Sequence, residues 1–113
     1  MRLIPLTIAL TLVACTPQHW RAVDATLESA VAVTIVLDHS QTVDIVEDCM
    51  ESNAIIGRCG TRVHPHIYFP TAILLHYLGT RALPMPARIA VEALTLATQV
   101  WNVHRNAEHG YPP

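Results

Sequence analysis

Ala87-Arg-Ile-Ala-Val-Glu-Ala-Leu-Thr-Leu-Ala-Thr-Gln-Val-Trp-Asn-Val-His-Arg-Asn106 carries the clearest periodicity in the chain. Glu92, Thr95, Gln99, Asn102 and Asn106 recur at spacings of three and four, which places them on one narrow stripe of a helix. Ile89, Val91, Leu94, Leu96, Val100, Trp101 and Val103 cover the rest of the cylinder. The segment predicts a helix over 87–105, and the fold depends on where that stripe points. In a water-exposed bundle the stripe is the solvated face; in a membrane-inserted hairpin it must be buried or line a cavity.

Upstream, Ala22 to Met50 contains no Gly or Pro and predicts a first helix, with Asp24 or Thr26 near its start. Its centre, Ala30-Val-Ala-Val-Thr-Ile-Val-Leu37, is apolar on all sides. Acids at Asp44, Glu47 and Asp48 oppose the dipole of its last turns, so an earlier end is expected. A middle helix is predicted from Ile67 or Pro70 to Leu83, because Pro70 suits a first turn better than an interior. Leu83-Pro-Met-Pro86 is a short, stiff connection that favours an antiparallel neighbour. The expected fold class is all-α: a three-helix lipid-anchored bundle, or alternatively one amphipathic helix plus a membrane-inserted helical hairpin. Insertion of the last two helices is marginal. A span needs about 20 apolar residues, and a charge at its centre costs roughly 2.5–3.5 kcal/mol, whereas His76, Glu92 and Gln99 fall inside these segments.

The first fourteen residues have one positive charge, an apolar run of signal-peptide length and a small residue at the cut point. Leu12-Val13-Ala14-Cys15 resembles the lipobox of bacterial lipoproteins, which implies that the Cys15 thiol receives diacylglycerol with fatty acyl chains such as palmitate and becomes the mature N-terminus. The division that follows is a signal peptide over 1–14, a tether over 15–21, one helical domain over 22–106 and a disordered tail over 107–113. Cleavage leaves 99 of the 113 residues, enough for one small domain. Six arginines then stand against nine acids, with no lysine and no basic stripe, which argues against nucleic acid as a partner.

Lipidation of Cys15 leaves Cys49 and Cys59, ten positions apart, in a disulfide-permissive compartment. A bridge there contributes about 2–3 kcal/mol in the chain-entropy model. Two free thiols or a metal pair are the alternatives; zinc sites usually require a closer cysteine knuckle and two further ligands. Three crossings of the membrane would place this loop in a reducing cytoplasm, whereas Arg81 and Arg88 flank the turn that a two-helix hairpin would leave inside.

Asp38-His-Ser-Gln-Thr42, followed by Glu51-Ser-Asn-Ala-Ile-Ile-Gly57, forms a candidate functional polar cluster of Asp38, Gln41, Thr42, Glu51 and Asn53. Asp38, Gln41 and Thr42 share a helix face. Asp38 reads either as a buried acid with a raised pKa or as the solvated end of the helix, with Glu51 and Asn53 building a turn. Ser40, His39 and Asp38 are consecutive on a helix, point apart and cannot form a catalytic triad. His64, His66, His76 and Glu51 could be assembled into a metal site, but no paired i,i+4 helical arrangement supports one, so no metal and no cofactor is assigned. Trp20 and Trp101 are candidate interfacial anchors.

The order lipobox, Asp38-x-x-Gln41-Thr42, Glu51-x-Asn53-x-Ile-x-Gly57 and Tyr68-Phe69 resembles a family of small proteobacterial and phage-encoded lipoproteins of unknown function, over residues 1–105. Ala54 and Ile56 depart from that family's proline and leucine, and its pattern lacks the cysteine pair. The resemblance implies a helical fold and an envelope address, marks Asp38, Gln41, Thr42, Glu51, Asn53 and Gly57 as positions to mutate first, and implies no chemistry.

The reading carried forward is a non-enzymatic protein of the bacterial cell envelope. It is anchored to membrane lipid through Cys15 on the periplasmic side and acts through contacts with an envelope protein or the membrane. The alternative is a membrane-embedded enzyme or transporter component using buried carboxylates at Asp38, Glu51 and Glu92.

Overall fold

The computed structural model describes residues 21–113, and these form three helices joined by one long loop and one short turn. The signal segment, Cys15 and Trp20 lie outside the described residues. Helix α1 is Ala22–Glu47, α2 is Pro65–Arg81 and α3 is Met85–Glu108. The fold is all-α, with no strand among the described residues.

Local chemistry sets each boundary. Asp24 sits three residues into the entry of α1 and accepts the Arg21 backbone N–H at 2.8 Å, satisfying a donor that the helix start would otherwise leave open. The helix stops at Glu47, short of Met50, and the chain reverses through Cys49 at φ 56°. That earlier end agrees with the crowding of acids in the last turns. Helix α2 begins sooner than its sequence suggests, at Pro65, whose missing N–H costs nothing at a first helical position. His64 supplies the cap by accepting the His66 N–H at 3.3 Å. Pro70 consequently falls inside the helix, at the cost of one backbone hydrogen bond. Prolines 84 and 86 flank the entry of α3.

Cross-helix bonds fix the directions. Arg88 meets Asp24 and Asn106 meets Asp38, so α3 runs parallel to α1. His76 meets Glu28 and His66 meets His39, so α2 runs antiparallel to it. Helix α1 packs most extensively on α3 and less on α2, while α2 and α3 touch little despite their short connection.

The inward face of α1 changes character along its length: Asp24 and Glu28, then Val31 and Ile35, then Asp38, Gln41 and Thr42, then Ile45. The apolar core is correspondingly small, consisting of Val31, Ile35, Ile56 and Phe69 with Val46, Tyr68, Ile73 and Leu96 against it. Polar groups fill the remainder. Asp24, Gln41, Thr42, Thr80, Arg88 and Glu92 are each at most 2 % exposed. Meanwhile Leu74, Leu75, Leu78, Leu94, Val100 and Trp101 are all more than half exposed. The stripe from Glu92 to Asn106 is therefore not the solvated face expected for a bundle. It turns inward, with the Thr95 hydroxyl bonded to His76 on α2 and the Asn106 amide bonded to Asp38 and Gln41 on α1, and the apolar side of α3 is left outside.

Candidate functional site

Two polar regions lie at opposite ends of the α1–α3 interface. The closed one is built on Arg88, whose guanidinium donates from Nε and Nη2 to the two carboxylate oxygens of Asp24, each at 2.8 Å. This fork, together with the Arg21 N–H, holds the Asp24 carboxyl below the usual carboxylate range, the Arg88 bond being the larger cause. Next to it, His76 bonds Glu28 through Nδ1 at 2.9 Å and Thr95 through Nε2 at 3.1 Å. Glu92 completes the group. It is fully buried, and neither of its carboxylate oxygens has a hydrogen-bond partner among the described residues. Burial first, and the charges of Asp24 and Glu28 second, push its carboxyl upward, against the pull of Arg88 and His76.

The open region is a cavity of about 430 Å³ between the end of α1, the following loop and the last turns of α3. Asp38, Thr42, Glu51 and Asn53 all line it. Thus four of the five polar-cluster residues picked out in the sequence converge on one space. Gln41, the fifth, is fully buried and ties the cavity's supports together. Its amide donates to the Val103 carbonyl at 2.9 Å and the Tyr111 carbonyl at 2.7 Å, while its carbonyl oxygen accepts from Asn106 at 3.3 Å.

Asn106 also donates to Asp38 Oδ1 at 3.1 Å. Even so, burial and, secondarily, the facing charge of Glu51 push the Asp38 carboxyl up to about 6, overcoming the hydrogen bonds from Asn106 and Thr42. The loop is shaped by its own short bonds. Glu51 Oε1 accepts the Asn53 N–H at 2.6 Å, and Asn53 Oδ1 accepts the Ile55 N–H at 2.9 Å in an Asx turn. Gly57 follows at φ +81°, where a Cβ would be strained and would press on the Arg62 side chain at 3.2 Å. This turn delivers Ile56 into the core at 1 % exposure, directly under the cavity. The sulfurs of Cys49 and Cys59 sit at disulfide distance across the loop, with Cα atoms 4.1 Å apart.

Asn102, Arg105, His109 and Tyr111 also line the cavity. Asn102 belongs to the polar stripe, but Arg105, His109 and Tyr111 carry no spacing signal that ties them to Asp38. Tyr111 lies in the segment expected as a disordered tail. Instead α3 continues to Glu108, the Tyr111 hydroxyl donates to Asp48 at 2.8 Å, and its carbonyl receives Gln41. His76 does not join His64 and His66. His64 and His66 have ring centroids 4.7 Å apart and His66 bonds His39 at 2.7 Å, but His76 is engaged with Glu28 and Thr95. Among the described residues, no group of three or more His, Cys, Asp or Glu side chains could hold a metal ion.

The three carboxylates of the enzyme-like alternative do not share a centre either. Glu92 lies in the closed group, whereas Asp38 is bonded to Asn106, fourteen residues further along α3, or roughly 21 Å of helix. No described helix is long and apolar enough to cross a membrane. No protein-family model matches the chain, and neither the curated proteins nor the solved structures yield a significant match.

Proposed function

We propose that the chain is a lipid-anchored helical protein of the bacterial envelope, attached through Cys15 on the periplasmic side, whose outer helical faces rest against the bilayer. The observation that carries this reading is the inverted distribution of polarity. Ile67, Leu74, Leu75 and Leu78 form one exposed stripe on α2, and Val91, Leu94 and Trp101 form another on α3, while Asp24, Glu28, Gln41, Arg88 and Glu92 are buried. In water, an apolar surface of this extent costs free energy at every exposed methylene, and burying it against acyl chains recovers that cost. The lipobox-like Leu12-Val13-Ala14-Cys15 places the attachment seven residues before α1, which keeps these faces within reach of the membrane surface.

The test uses the full chain produced in a bacterium. Labelled fatty acid is incorporated into the wild type and not into Cys15→Ser; labelling of that variant disproves the anchor. Separately, the Trp20→Phe protein is reconstituted in vesicles containing brominated phospholipid, where Trp101 emission is quenched if the α3 face meets acyl chains. Unquenched emission overturns the bilayer contact.

A further inference from the structure

Around the open cavity, three charged side chains of mixed sign stand without an opposite partner among the described residues. The ion pairs among the described residues are His76–Glu28, Arg88–Asp24 and His104–Glu108, and none includes Asp38, Glu51 or Arg105. The two carboxylates project from α1 and the loop, and the guanidinium comes from the last turns of α3, so the space between them has an acidic and a basic side. Ile45, Met50, Ile56 and Phe69 supply an apolar wall. A cavity of about 430 Å³ falls in the range of small-molecule sites, roughly 300–1,000 Å³.

Each pole retains bonding capacity. Asp38 accepts from Asn106 and Thr42, and its carboxylate faces the negative Glu51 and, among the described residues, is in no ion pair. Glu51 Oε1 is taken by the Asn53 N–H, which fixes the carboxylate at the rim. A cation seated between the two would relieve their mutual repulsion and supply charge-assisted hydrogen bonds, the stronger kind. His109 donates through Nδ1 to the Arg105 carbonyl at 2.7 Å, which turns its other ring nitrogen to the outside of that bond.

We propose that this cavity binds a small zwitterionic amine of the amino-acid type. Its ammonium group sits between Asp38 and Glu51, its carboxylate is directed to Arg105, and its apolar side chain lies along Ile56 and Phe69. The proposal does not depend on the outer faces meeting lipid, and its test is separate from theirs.

The experiment is chemical-shift mapping on the detergent-solubilised full chain with three probes: phenylalanine, its methyl ester and N-acetylphenylalanine. Phenylalanine should shift the amides of residues 38–42, 51–57 and 102–109. The ester, which lacks the anionic end, should bind about tenfold more weakly, and the N-acetyl compound, which lacks the cation, should not bind. Asp38→Asn and Glu51→Gln each preserve shape and should weaken phenylalanine by at least about tenfold. Arg105→Gln should weaken phenylalanine and leave the ester unchanged. Equal binding of the N-acetyl compound, or no shift with any probe up to about 10 mM, overturns the proposal.

Discussion

The two polar ends of the α1–α3 interface are made of the same kinds of residue and are finished in opposite ways. At the Arg88 end the charges are interlocked: a forked guanidinium, a carboxylate that also caps a helix, and a histidine held between Glu28 and Thr95. At the Asp38 end the Gln41 and Asn106 amides are engaged, but among the described residues Asp38, Glu51 and Arg105 belong to no ion pair. The first arrangement specifies which helix lies beside which. The second leaves capacity for something outside the chain. Burial of polar groups thus serves register at one end and recognition at the other.

The sharpest way to break this contrast is to remove Arg88. Arg88→Ala leaves Asp24, Glu28 and Glu92 buried together with Arg21 and His76 as their positive neighbours, so its loss of stability should reach about 3–5 kcal/mol, the cost of breaking a buried ion pair from one side. Asp24→Asn combined with Arg88→Met should recover much of that loss, since the amide keeps the Arg21 contact and the Asp24 carboxylate is no longer left without its guanidinium. Chemical denaturation of the three proteins at one pH measures both effects, and a double variant no better than the single one would mean that the pair stabilises beyond its register role.

A smaller effect is expected at Glu92, and it depends on pH. Its folded-state pKa is raised above 4.5, so its contribution to stability is complete at lower pH and is lost as pH rises through the folded value. Glu92→Gln cannot ionise. Its denaturation midpoint should therefore fall less than that of the wild type as pH is raised from 4.5 to 8, and parallel curves would show that Glu92 does not titrate in the fold.

The smallest effect belongs to the open end. Asp38 rises from 3.8 to about 6, so stability should decline across that interval in the wild type, by roughly 1–2 kcal/mol once solvent screening is allowed for. Asp38→Asn should flatten the same interval while changing stability little at pH 4, where the native carboxyl is already largely neutral. A variant that is destabilised at every pH would move Asp38 from the binding class into the structural one.

The helices themselves were readable from hydrophobic periodicity and from the absence of Gly and Pro between residues 22 and 47. Their ends were harder, and Pro65 explains why: two prolines compete for the first turn of α2, and only the His64 cap decides between them. The cavity was legible on one side. Asp38, Thr42, Glu51 and Asn53 stand out as polar residues after an apolar run, and Glu51 and Asn53 are held by local bonds that sequence spacing suggests. Arg105 and Tyr111 were not legible, because their place depends on α3 running parallel to α1 across more than sixty residues of separation. The inward turn of the Glu92–Asn106 stripe was also undecided by periodicity, which shows that a helix has two unlike faces and not which one is inside. The partners that turn it, Asp38, Gln41 and His76, lie on other helices.

Gln41 grips the Tyr111 carbonyl across 70 positions of sequence, and the Tyr111 hydroxyl reaches back to Asp48. The segment after α3 is therefore a fastening between the ends of two helices. Loss of residue 111 would remove one side of the cavity and leave one donor of the buried Gln41 amide without its acceptor. An alteration at residue 111 would be felt first at residue 41.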